Sequence, residues 1–121
     1  MIDHTIIPAK HYAYIVIKQS PDLATFIRAS RLFVNDPDYS PSLHRLCDFS
    51  QADLSHVTES DLNEYIKFAL KEVSLAPGTK VALVAPSEKK AGIFEQFMSN
   101  MDMGSFRIFF QPEDAVIWIQ E

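Results

Sequence analysis

The stretch Lys80-Val81-Ala82-Leu83-Val84-Ala85-Pro86-Ser87 decides the fold. Apolar residues stand in an unbroken row between a lysine and a proline. A continuous apolar run this short, bounded by a proline, reads as a strand, and strands alternating with helices argue a mostly parallel sheet. Strands of that kind belong to parallel sheets covered by helices. Downstream, Ser87 suits a helix N-cap, and Ala91, Phe94, Phe97, Met98 and Met101 then recur at helical spacing until Gly104. Phe106 to Phe110 reads as a further strand. Pro112-Glu113-Asp114 opens a short last helix with its acids at the positive end, and Ala115 to Ile119 give it an apolar face.

Upstream, Pro77-Gly78 closes a helix whose stripe is Leu62, Tyr65, Ile66, Ala69, Leu70 and Val73. Thr58 caps its start, and Asp61 stands where the reciprocal acid of a capping box belongs. Leu43 to Phe49 reads as a buried strand, and Ser50 to His56 as a connection. Ser20-Pro21-Asp22 opens the first helix, with Ser20 as N-cap and Pro21 as first helical residue. Leu23, Phe26, Ile27, Ser30, Phe33 and Val34 are its apolar side, and Asn35-Asp36-Pro37-Asp38 ends it. His11 to Lys18 is rich in strand formers. Asp3 to Ile7 is its antiparallel partner across a turn at Pro8. The order is ββαβαβαβα. It predicts an α/β domain with a mixed, mostly parallel five-stranded sheet and about four helices.

The chain has 121 residues, enough for one domain with its own core. Its net charge is −5, and acids outnumber bases in both halves: 7 to 5 over residues 1–60 and 9 to 6 over 61–121. That balance argues against a nucleic-acid surface and against a polybasic membrane anchor. No apolar run approaches the length of a membrane span. The first 20 residues lack the apolar core of a signal peptide, so a cytoplasmic location is expected. The single cysteine, Cys47, excludes an internal disulfide and a multi-cysteine zinc site.

The strand end Leu46-Cys47-Asp48-Phe49-Ser50 is similar to the hydrophobic-Asp-Leu-Ser strand end of the SpoIIAA-like, or STAS-type, domains. The strand Lys80–Ala85 leading to Gly92-Ile93-Phe94-Glu95-Gln96-Phe97 continues the resemblance. The tail Arg107-Ile108-Phe109-Phe110, followed by Glu113-Asp114-Ala115-Val116-Ile117-Trp118-Ile119, resembles that of an uncharacterised bacterial branch of the family. That branch is also compared with the lipid-binding CRAL-TRIO fold. The resemblance spans nearly the whole chain as a single SpoIIAA-like domain. It implies a non-enzymatic regulatory or protein-interaction module; a binder of a lipid or other small apolar ligand is the alternative. Family members that antagonise anti-sigma factors carry a phosphorylated serine in Asp-Ser-x-Gly. The corresponding stretch here, Ser55 to Asp61, has no such motif. It leaves Thr58 and Ser60 at the position, with Glu59 and Asp61 already loading the turn with negative charge.

The residues themselves offer candidate sites beside ordinary structural roles. Asp48 and Asp53 flank a turn after a strand, where α/β sheets bind ligands; local backbone hydrogen bonds to Asp48 are the simpler account. Ser87 and Lys89 stand at a helix start that suits an anion, or are a plain cap and a solvated lysine. Topology puts Asp48, Ser50, Ser87 and Lys89 near one end of the sheet. His4, His11, His44 and His56 have no metal-binding spacing, and no cofactor is expected. Cys47 reads as a small buried apolar residue. Phe94, Phe97, Phe106, Phe109, Phe110 and Trp118, with Met98, Met101 and Met103, supply core, a homodimer or protein-partner face, or an apolar ligand pocket.

Overall fold

Ile2–Ile7 (β1) and Tyr12–Gln19 (β2) form an antiparallel pair, from Ile2 opposite Ile17 to Ile7 opposite Tyr12. Pro8–Lys10 makes a single 3-10 turn between them, and His11 closes it in the left-handed region at φ 55°. The computed structural model describes residues 1–56, 58, 60, 61, 64, 78–88, 91, 92, 94, 95 and 105–121. Beyond the hairpin it shows α1 (Leu23–Val34), β3 (His44–Ala52), β4 (Lys80–Val84), β5 (Ser105–Phe109) and α2 (Pro112–Ile119). The five strands form one sheet in the order β1-β2-β3-β4-β5. β1 is antiparallel, and β2 through β5 run parallel. The mixed, mostly parallel sheet is thus the one the residue pattern predicts.

Helix α1 starts later than expected. Asp22, not Ser20, is its N-cap, and its carboxylate accepts the Thr25 N–H at 2.8 Å and the Thr25 hydroxyl at 2.7 Å. A carboxylate with two donors on one oxygen outcompetes a hydroxyl two residues upstream. Phe26, Ser30 and Phe33 face the sheet, while Leu23 is exposed rather than part of the apolar side. Strand β3 overruns the expected connection and continues to Ala52. Its continuation pairs Gln51 with Lys18 and Ala52 with Gln19, beyond a register shift between Val16 and Lys18. Ser50 is therefore a strand residue. Gly78 precedes β4 at φ +83°, a conformation glycine adopts without strain.

Of the helices expected near 58–73 and 88–101, most residues lie outside the described set. These include Leu62, Tyr65, Ile66, Ala69, Leu70, Val73, Lys89, Phe97, Met98 and Met101, as well as Met103 and Gly104 beyond them. The described residues Ser60, Asp61 and Glu64 are helical, as are Glu88, Ala91, Gly92, Phe94 and Glu95.

Side-chain alternation splits the core into two layers. Ile17, Phe49, Val81 and Leu83 meet Phe26 of α1 and also Ala91 and Phe94 on one face. Tyr12, Leu46, Ala82 and Val84 meet Ala115 and Ile119 of α2 on the other. This division follows from chirality. Right-handed crossovers between strands laid side by side in one direction put connecting helices on one face, in line with Phe26 of α1, Ala91 and Phe94 sharing one face while α2 covers the other. A continuous apolar run at β4 is what such double burial requires.

Candidate functional site

The α2 face carries a buried carboxylate. Asp48 is 2% exposed, and its oxygens are shared between two strands. Oδ2 accepts the Tyr14 hydroxyl of β2 at 2.8 Å. Oδ1 accepts the Ser50 N–H at 2.9 Å and the Ser50 hydroxyl at 2.6 Å. Three donors stabilise a carboxylate that burial alone would penalise. Burial pushes the Tyr14 phenol well above its ordinary value of 10.0. The hydrogen bond to Asp48, the Asp48 charge and, more weakly, Glu113 of α2 add to the push. Tyr14 is thus a firm proton donor to Asp48 and stays a phenol at neutral pH.

The structure brings Asp48 and Ser50 together, as topology suggests, and adds Tyr14. Sequence reasoning missed Tyr14, whose strand neighbour in register is Leu46 rather than Asp48. Only the register and the shared sheet face reveal the diagonal approach. Asp48 is not at a strand end, because β3 runs on to Ala52. Asp53 turns away to accept the Ser55 N–H at 3.0 Å. The strand order does not reverse anywhere along the sheet, so Asp48 has no switch-point crevice beside it. Thr58 Oγ1 accepts the Asp61 N–H at 3.1 Å, and Asp61 Oδ2 accepts the Thr58 N–H at 3.3 Å. That is the reciprocal cap read from the sequence, and it engages the Thr58 hydroxyl within its own turn. Ser60 is exposed. The Ser87 carbonyl accepts the Ala91 N–H at 3.0 Å, as at a helix start. Lys89 lies outside the described residues.

A second cluster sits at the opposite end of the same face. The Lys80 ammonium donates to the main-chain oxygens of Trp118 at 3.0 Å and Glu121 at 2.9 Å. It also lies 5.4 Å from the centre of the Trp118 ring. A cation on the last carbonyls complements the helix dipole. The Lys80 N–H donates to Nδ1 of His44 at 2.9 Å, which puts the proton of a neutral ring on Nε2. The His11 ring stands edge-on to His44 at 6.0 Å. Burial, then the Lys80 and His11 charges, hold His44 below its ordinary value of 6.5.

No protein-family model, curated protein or solved structure matches the chain. The site must therefore be read from its own chemistry.

Among the described residues no group of three or more His, Cys, Asp or Glu converges as a metal site. No described helix is long and apolar enough to cross a membrane. Cys47 is half-buried against the α1-face core. Burial pushes its thiol up to about 11, which suits packing better than nucleophilic attack. The outer side of α2 is different. Ala115 and Ile119 are buried, but Ile117 is 62% exposed and Phe110, just before the helix, is 51% exposed. Glu113, Asp114, Gln120 and Glu121 of the same segment are exposed as well. After Arg107, whose guanidinium lies over the Phe109 ring at 5.4 Å, the chain has no lysine or arginine.

Proposed function

We propose that this chain is a non-enzymatic protein-interaction module of the SpoIIAA-like, or STAS, type, docking a protein partner on the outer side of α2. The carrying observation is the pair Phe110 and Ile117, both more than half exposed beside carboxylates of one sign. Exposed apolar residues in an acidic segment fit a partner segment that presents an apolar side chain between lysines or arginines. The single antiparallel edge strand and the sequential parallel strands support the STAS-type reading. A cytoplasmic setting fits this reading.

The test uses a short amphipathic peptide of lysine and leucine, and a control with glutamate in place of lysine. The wild-type chain binds the basic peptide, added salt weakens the complex, and Ile117→Asp weakens it at least about tenfold. Equal binding of the acidic peptide, or no effect of Ile117→Asp, overturns the proposal. So does a stable homodimer that buries Ile117, which makes a second copy the occupant. Extra mass retained in a native spectrum and lost on denaturing favours the apolar-ligand reading instead.

A further inference from the structure

We propose that His44, Lys80 and Trp118 form an acid-released clasp that fastens the end of α2 at neutral pH and lets it loosen on acidification. As regulation of the docking face, this rests on the reading above; as a property of the fold, it stands on its own geometry.

His44 joins three chain segments. Its N–H donates to the His11 carbonyl at 3.2 Å, and its Nδ1 accepts the first N–H of β4. That N–H belongs to the residue whose ammonium holds the Trp118 and Glu121 oxygens. One backbone position thus carries both the link to β3 and the link to α2. Among the described residues, the titratable or charged groups facing His44 are His11 and Tyr12 from the β2 side and Lys80 from β4. Glu121 is reached through the Lys80 ammonium.

Protonation changes the sign of the contact. Nδ1 gains a proton and becomes a donor facing the Lys80 N–H, so that backbone hydrogen bond is lost. The new imidazolium also feels the like charge of Lys80, which opposes it. None of the facing groups is a carboxylate side chain close enough to be named as its partner. The burial and cationic neighbours that hold His44 below 6.5 set the release on the acid side of neutrality. Lys80 is then less well placed over the last carbonyls, and the last turn of α2 loses its cation.

The experiment needs no partner. Trp118 is the only tryptophan, so its emission reports the clasp directly. Emission and amide hydrogen exchange of the isolated chain are followed from about pH 8 to about pH 5, with exchange corrected for its intrinsic pH dependence. The Gln120 and Glu121 amides, which donate to Val116 and Trp118 oxygens, are expected to exchange at least about threefold faster in acid. His44→Asn keeps an acceptor near the Nδ1 position but does not titrate, and is expected to abolish the acceleration. Lys80→Met is expected to give fast exchange at both ends of the range. The same acid transition in His44→Asn, or slow exchange in Lys80→Met, overturns the clasp. Where a variant does not fold, the wild-type chain decides by nuclear magnetic resonance. The His44 ring and the Lys80 amide must titrate with one midpoint, and independent midpoints overturn the proposal. Acid loosening without capture of the basic peptide at neutral pH rejects the docking reading alone. Capture without acid loosening rejects the clasp alone.

Discussion

The Tyr14 hydroxyl lies 2.8 Å from Asp48 Oδ2, although the residue opposite Tyr14 in the parallel register is Leu46. The bond therefore runs diagonally from β2 to β3 and joins the strands by a side-chain bridge beside their ladder. Tyr14→Phe removes the donor but leaves Asp48 with both Ser50 bonds, so it costs about 1 kcal/mol in denaturant unfolding. Asp48→Ala orphans three donors and costs about 2–4 kcal/mol.

The raised phenol of Tyr14 gives an alkaline signature. The unfolded chain releases that proton near the ordinary 10.0, while the folded chain still holds it. Stability from this group is full below 10.0 and is lost as pH rises above it. Urea midpoints across that range fall more steeply for the wild-type chain than for Tyr14→Phe. Equal slopes contradict the assignment.

The acid side has a counterpart at Asp36. The Asp38 N–H at 2.9 Å, and then the His4 ring nitrogen at 2.9 Å, hold its carboxyl below the ordinary 3.8. The folded value is the depressed one, so this contribution is complete above 3.8 and disappears as pH falls through the lower folded value. In His4→Gln the Asp36 resonance titrates closer to 3.8, without reaching it, because the Asp38 bond remains.

The fold was legible where one rule acted alone. The unbroken apolar run of β4, the proline turn after β1 and the Thr58–Asp61 cap follow from local chemistry, and each is present. The start of α1 was misread because Ser20 and Asp22 both qualify as caps, and only the backbone decides which oxygen reaches the Thr25 N–H. The length of β3 was misread because its last residues are strand only through pairing with Lys18 and Gln19. The partners of Asp48 and His44 were illegible for a related reason. Each depends on strand register, which no short-range pattern encodes.

Burial of the Cys47 thiol predicts low reactivity. At about pH 8 a thiol titrating near 11 has about a hundredfold less thiolate than one at the ordinary 9.0. Alkylation of the native chain is therefore slower than that of the denatured chain, by less than the thiolate ratio from the shift itself because a higher-pKa thiolate is the better nucleophile. A native rate equal to that of a free thiol rules out the packed position.

The two sides of α2 respond differently to truncation. Leu46, fully buried beneath the helix, costs about 2–5 kcal/mol as Leu46→Ala. Ile117→Ala changes thermal stability by no more than about 0.5 kcal/mol, because its side chain already faces water. A large loss for Ile117→Ala shows that it packs within the fold instead.

The uninterrupted strand order has a consequence for synthesis. Each strand from β2 onward pairs with the one made just before it, so no early strand waits for a later one to be inserted between it and its neighbour. A nascent chain can lay down the sheet strand by strand as it leaves the ribosome. The α2 face stays wet until residues 112–121 emerge, and Lys80 then receives the helix end that completes its hydrogen bonds. Ribosome-bound chains stopped before Trp118 should therefore bind apolar dyes on that face and lose the signal once Glu121 is exposed.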